Sequence, residues 1–564
     1  MICVVDRVVT VQTKILTAVF ENGCLSSLVS KCDGEQYVSD AAAAKRLFPL
    51  RVAYPAKRSY ALGKEETLQY ECVQYNDNLV ILVCDGWFGH GEVRIEEDCE
   101  TGEIMVTPSV HCARPGVKAC RWEIFGIREN LLVTVPFMQG IRAPMDAPEL
   151  RHEVLQHLPY PSKWEAGFVA FGNDRGGFWI HTDDSRDRFK YLHLGHETTP
   201  YAVAVDSENA GPFESQMSAG GVTWRLGVYE GDWTTPVKSY REVLRRTPMW
   251  AKSEKTKPAW FDDIRLAISW CPTDHAFLRA LGDYIDPRHV LVHVPHWREK
   301  KYDQCYPDFT PSDAGASFIR EGAAMGYHMA PHCNSLEIDP SISEFELVRD
   351  FRYRDADTHD AFGWGWSETG FVGVPEANVA MRSNRRYNVM TKIHPALPAW
   401  QNLLAKNVRA AVNALGVDTM FLDVSLCMWN LDRSLVNNAT PMEGMEMVFD
   451  LISKIRCENG GGLTLGGEGL DEMLLFQHFA QGHSAFLDDN AMLPAQYYVP
   501  VNRIMMGELC HIIGYHGGGN PERCEMQDLC DSNRGFVPTL IGGSAEELAD
   551  EHSLARRIVA RALS

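Results

Sequence analysis

From Ile264 onward the chain alternates short apolar runs with segments of helical period, and that alternation leaves few folds open. A strand that returns through a helix lies parallel to its predecessor, with the helix packed on the sheet. The runs predicted as strands are 264–269, 290–294, 327–331, 419–423, 463–468, 485–488, 512–515 and 536–541. Helical spacing fills the gaps: Trp400, Leu403, Leu404, Asn407, Val408 and Ala411 share one face, as do Met445, Val448, Phe449 and Ile452. Eight parallel strands with intervening helices predict a (β/α)₈ TIM-type barrel.

The first part of the chain has a different period. The β-like segment 14–20 leads into Asn22-Gly23, a hairpin turn signal. Leu79–Val83 reads as a buried strand, segments 167–171 and 177–181 flank a turn, and 223–229 reads as the last strand. Many short strands separated by turns predict a large β-sandwich. The expected organisation is an all-β supersandwich over 1–245, a linker over 246–260, and the barrel over 261–564.

A chain of 564 residues is too long for one core, which agrees with two domains. With 75 Asp and Glu against 54 Lys and Arg, the net charge of −21 repels a polyanion, so no nucleic-acid partner is expected. No apolar run approaches the length of a membrane span, so no membrane partner is expected either. The N-terminus lacks a basic region followed by an apolar stretch, and the 16 cysteines form no paired Cys-x-x-Cys motif. Both features predict a cytoplasmic protein with reduced thiols.

Chemistry is expected at the strand tips, because a barrel of this type keeps its reactive residues at the C-terminal ends of its strands. Asp423 ends the fourth run, Val417-Asp418-Thr419-Met420-Phe421-Leu422-Asp423, and Glu468 ends the fifth. Either acid alone would read as a helix cap or a solvated loop carboxylate. Together, on successive strand tips, they form a pair of the kind glycosidic cleavage needs. Other polar residues stand at neighbouring tips: Trp297, Asp303, His332, Asn334, Asp488 and His516 are predicted to bind substrate, with Trp297 as a stacking face. The long stretch between strands three and four, with Phe362-Gly363-Trp364-Gly365-Trp366 and Ser383-Asn384-Arg385-Arg386, is expected to shape the site or to form a surface excursion. His293, His296 and His332 open a second reading, a metal-dependent barrel hydrolase. The first strand lacks the histidine pair such an enzyme wants, so neither metal nor cofactor is expected. No Gly-x-Ser-x-Gly elbow and no phosphate-binding Gly-x-x-x-x-Gly-Lys motif is found.

The layout, with Gly231-Asp232-Trp233 and Tyr240-Arg241 in the connecting segment, resembles the α-N-acetylgalactosaminidase families, endo- and exo-acting. The matching motifs are Phe421-Leu422-Asp423-Val424, Gly467-Glu468-Gly469, and Trp297 with Tyr302-Asp303 and Tyr306-Pro307-Asp308. The resemblance implies a retaining α-glycosidase with Asp423 as nucleophile and Glu468 as acid/base, acting on an oligosaccharide or glycoside. It also implies an α-N-acetylgalactosaminide or α-galactoside as the sugar. In the α-galactosidase-like variant the acid comes from strand six, and Asp488 or Asp489 would take the place of Glu468. A non-catalytic glycan-binding relative is the remaining alternative. Those families continue into a C-terminal β-domain, whereas this chain stops at Ser564 after a helical segment, so such a domain is expected to be absent from it.

Overall fold

A computed structural model describes residues 1–46, 48–64, 67–184, 188–367, 370–372, 388–458, 460–482, 493–515 and 521–564. The first half is antiparallel β-structure. A five-stranded meander covers Ile2–Ser39, and ten-stranded and six-stranded sheets follow it. The Asn22-Gly23 hairpin forms between Leu16–Glu21 and Cys24–Ser30, with both turn residues at positive φ, 50° and 82°. Alternation along the strands buries one face; Ile104–Cys112 reads buried at every second residue. Trp164 and Trp224 stack at 6.0 Å within that core and are fully buried. The last strand of this region is Trp224–Glu230. The segment predicted as a linker is largely the helix Pro248–Thr256, capped by Thr247, whose side chain accepts the Trp250 N–H.

The parallel sheet that follows holds eight strands in the spatial order seven-six-five-four-three-two-one-eight. In chain order they are Leu266–Ser269, Val290–Val294, His328–Asn334, Thr419–Asp423, Thr464–Glu468, Phe479–Gln481, His511–Ile513 and Thr539–Ile541. A parallel bridge between Ile513 and Val537 brings the seventh strand beside the eighth and nearly closes the barrel. The sixth strand is a correction. It lies at Phe479–Gln481, a few residues before the predicted run 485–488, which falls outside the described residues. Only three residues long, it is too brief for a periodicity signal.

Helices pack where the spacing put them. Pro398–Leu415 ends at Gly416, whose φ of 70° is the left-handed conformation that closes a helix without a Cβ clash. Pro441–Ser453 starts with a capping box between Thr440 and Glu443. Between strands three and four a small antiparallel sheet is inserted, formed by Glu337–Ile338, Asn388–Lys392, Gly363–Ser367 and Gly370–Val372 in that spatial order.

The β-region and the barrel are joined by buried polar contacts. Glu472, just past the fifth barrel strand, accepts the Tyr160 hydroxyl at 2.6 Å and the Tyr240 hydroxyl at 2.7 Å. Glu165 accepts the backbone N–H of Gln139 and the amide of Asn502, both at 2.8 Å. Removing Glu472 takes a hydrogen bond from two buried tyrosine hydroxyls at once. Glu472→Ala is therefore expected to lower stability by about 2–4 kcal/mol in a denaturant titration. A loss under about 0.5 kcal/mol would show that this junction carries no weight.

Candidate active site

Parallel register fixes the geometry at the barrel mouth. Strand three pairs with strand four through Asn334 and Asp423, and strand five pairs with strand six through Glu468 and Gln481. Strands four and five pair up to Leu422 and Gly467, one residue short of the two acids. Asp423 and Glu468 therefore sit side by side on adjacent strand tips, 7% and 6% exposed.

Local backbone holds them there. Val424 has a φ of 63°, strained for a β-branched residue, and in that conformation its N–H reaches Glu468 Oε2 at 3.0 Å. Ser425 Oγ accepts the Glu468 N–H at 2.8 Å and donates to the Glu468 carbonyl at 3.2 Å. The Asp423 carbonyl accepts both the N–H and the hydroxyl of Ser335, at 3.0 and 2.7 Å. Gly466 has no side chain to spare, because a Cβ there would meet the Phe479 ring at 2.1 Å.

Burial pushes the Asp423 carboxyl well above the usual carboxylate range, and Glu468, Asp303 and Glu337 push it further. Two adjacent buried carboxylates cannot both ionise cheaply, so each charge is disfavoured by the other. Asp303 is pushed up to about 8, by burial first and then by Glu337, against the Trp366 indole N–H that it accepts at 2.9 Å.

The predicted binding residues divide into three groups. Asp303 and His332 face the acids: the Asp303 Oδ1 atom is buried without a hydrogen bond, and His332 Nε2 lies 3.5 Å from Asp423 Oδ2. Trp297 is a correction. It is fully buried, its indole N–H is spent on the His332 carbonyl at 2.9 Å, and Gly315 packs against its backbone, so it supports His332 from behind and offers no stacking face. Asn334 is likewise committed. It accepts the N–H groups of Leu336 and Glu337 and donates to Glu337 Oε2 at 2.7 Å, so it shapes the loop and does not face a ligand. Asp488, Asp489 and His516 lie outside the described residues, as does Ser383-Asn384-Arg385-Arg386.

Sequence reasoning missed Glu337 and Lys392. Glu337 is fully buried and pairs with Lys392 Nζ at 3.2 Å, while the Trp364 indole also bonds to it. Both belong to the inserted sheet, where no strand-tip rule points. The aromatic segment of that insert does reach the site: Trp366 is 42% exposed and bonds Asp303. An open pocket of about 520 Å³ begins beside it, lined by His296, Tyr302, Lys300 and Lys301 among others. Among the described residues no three His, Cys, Asp or Glu side chains are grouped to hold a metal ion. His293 and His332 bond each other at 3.1 Å, and His296 is exposed on the rim.

Comparison with known proteins fits this architecture. A family model described as a domain of unknown function (DUF6259) matches residues 222–434, from the last β-region strand to just past Asp423. A Monosiga brevicollis protein named as a candidate glycoside hydrolase is 22% identical over 392 residues, 60% of this chain and 31% of that protein. The chain thus spans less than a third of the length of that curated relative. Ligand-free α-N-acetylgalactosaminidase NagBb from Bifidobacterium bifidum superposes with a TM-score of 0.69 at 14% identity, covering 98% of this chain and 92% of that one. Its Gal-NHAc-DNJ complex gives 0.65 at 13% identity over the same shares. The likeness establishes the fold, a β-sandwich region followed by a (β/α)₈ barrel. Function has to be argued from the site.

The raised acid has a consequence for stability. The folded value of Asp303, about 8, lies above its ordinary 3.8, so the folded state holds the proton more tightly than the unfolded chain. That contribution is fully present below the ordinary value and is lost as pH rises toward the folded value. Asp303→Asn keeps an acceptor for Trp366 and abolishes the titration. Relative to wild type, its melting temperature is expected to gain steadily between about pH 5 and pH 8. A constant difference across that range would place the Asp303 carboxyl at an ordinary value.

Proposed function

We propose that this chain is a retaining glycoside hydrolase that cleaves α-linked sugars by double displacement, with an α-N-acetylgalactosaminide or α-galactoside as substrate. The observation that carries the reading is the pairing of Asp423 and Glu468 on adjacent parallel strand tips, with the Val424 N–H pinning the second acid beside the first. In the first step Asp423 Oδ attacks the anomeric carbon as the glycosidic C–O bond breaks, and Glu468 gives its proton to the departing oxygen. In the second, Glu468 takes a proton from water, the water oxygen attacks the anomeric carbon, and the Asp423 ester is cleaved. This division of labour needs Asp423 ionised while Glu468 carries the proton.

The α-linkage and the sugar rest on the motifs that resemble those of α-N-acetylgalactosaminidases and on the fold likeness to NagBb. Asp303, with an unpartnered buried oxygen, and Trp366, exposed beside the pocket, are the groups best suited to hold sugar hydroxyls and a ring face.

Asp423→Ala is expected to abolish turnover of aryl α-glycosides with the protein still folded. Survival of activity within about tenfold, a barrier change of roughly 1.4 kcal/mol, would remove Asp423 from the mechanism. Glu468→Gln is expected to impair substrates with poor leaving groups far more than activated aryl glycosides. Equal loss on both would leave Glu468 a structural role. Proton NMR of the first-formed sugar should show the α-anomer, and the β-anomer would show inversion.

A further inference from the structure

One layer of residues above the apolar floor of the barrel is linked into a belt of hydrogen bonds. The floor consists of Ala267, Leu291, Ala330, Phe421, Phe479 and Ile513, all fully buried. Two residues further along their strands, on the same inward face, stand Ser269, His293, His332, Asp423 and Gln481. The Gln481 amide donates to Ser269 Oγ at 2.7 Å and reaches His293 Nδ1 at 3.2 Å. His293 Nε2 bonds His332 Nδ1 at 3.1 Å, and His332 Nε2, buried without a hydrogen bond, lies 3.5 Å from Asp423 Oδ2.

The direction of this belt is fixed by one group with no choice of role. The backbone N–H of Trp270 can only donate, and it donates to His293 Nδ1 at 3.2 Å. Trp270 reaches that position because its φ is 57°, the same left-handed geometry that turns the Val424 N–H onto Glu468. His293 Nδ1 is therefore the acceptor nitrogen. Burial pushes His293 down to about 3 and His332 far below the usual range, so both rings are neutral and each carries one proton. The His293 proton is on Nε2 and donates to His332 Nδ1. The His332 proton is then on Nε2, the atom that faces Asp423. Ring packing holds the geometry: Phe421 lies 4.5 Å from His293 and 5.4 Å from His332.

We infer that Trp270, Gln481 and His293 are a tautomer relay whose output is a fixed, uncharged N–H presented by His332 to the Asp423 carboxylate. His293 and Gln481 are positioning residues; they do not touch substrate. A neutral donor orients the attacking oxygen without neutralising it, as a cation at that place would do. At 3.5 Å the two atoms are not hydrogen-bonded in this structure, and the inferred bond forms only when the carboxylate ionises, since hydrogen bonds at reactive groups are often long before substrate binds. The role of the output rests on Asp423 being the nucleophile; the tautomers do not.

The test is the ¹⁵N spectrum of full-length protein with labelled histidine, with His293→Phe and His332→Phe used to assign the two rings. Both rings are expected to show the Nε2-protonated neutral form and no titration between about pH 5 and pH 8, where an unperturbed histidine changes charge. An Nδ1-protonated ring at either position, or an imidazolium signal at His332 in that range, overturns the relay. In His293→Phe, His332 should gain an Nδ1-protonated population. kcat on aryl α-glycosides should fall about tenfold to a hundredfold with KM within about twofold, as expected when a reacting group is held less well. Gln481→Leu should move both readouts the same way to a smaller extent. An unchanged His332 spectrum and unchanged kcat in His293→Phe also overturn it. If instead Asp423→Ala keeps its turnover, the nucleophile assignment fails while the ¹⁵N result still decides the tautomers.

Discussion

The inward-facing period of two on parallel strands is the constraint on which the rest of this molecule depends. Phe421, Phe479, Leu291, Ile513 and two alanines seal the barrel interior with apolar volume. The next inward residue on most of those strands is polar, and each polar group is buried in turn. Groups placed there cannot be left unpaired without a penalty of order 1–3 kcal/mol each. Hydrogen bonds therefore link them strand to strand: Gln481 to Ser269 and His293, His293 to His332, Glu468 to the backbone after Asp423. The acid pair and its support form one layer, raised on a dry floor that holds the strand tips in register.

Electrostatics adds a tension that the fold accommodates. Asp423, Glu468, Asp303 and Glu337 bring four carboxyls into one mouth, and burial pushes the Asp423 and Asp303 carboxyls above their usual range. Lys392, held by Glu337 at 3.2 Å, supplies positive charge from the inserted sheet. Against the cost of burial, Cys427, Glu337 and Glu468 hold its ammonium above its usual range. The backbone is strained at the same level, with Trp270, Asp303 and Val424 all at positive φ. Strain and like charge gathered at one end of a barrel are the marks of a site kept for chemistry at the expense of stability.

Much of this was legible in the sequence. The change from period two to strand–helix alternation near residue 260 separates the two architectures, and the apolar run ending in Asp423 sets that acid at a strand tip. Glu468 and His332 follow by the same rule. His293 and Gln481 obey it too, one layer in, but His293 reads as a residue inside its strand and Gln481 ends a strand of three residues that gives no periodic signal. Counting two residues on from each inward apolar side chain would have found both. Trp297 misled because an aromatic beside a strand tip looks like a stacking face, whereas here Gly315 leaves room for its backbone and the indole is turned inward. Glu337 and Lys392 had no local signal at all, since they reach the mouth by way of the antiparallel insert whose path no strand–helix period encodes.

The most direct measurement is covalent trapping at the barrel mouth. Double displacement requires that one carboxylate become an ester of the sugar partway through each turnover. A 2-deoxy-2-fluoro α-glycosyl donor with a good leaving group slows the breakdown of that ester, so that the digested protein can be read by mass spectrometry. The expected result is a peptide heavier by one glycosyl group, with the added mass on Asp423. The added mass on Glu468, or turnover of ordinary substrate with inversion and no labelled peptide, would contradict the assignment.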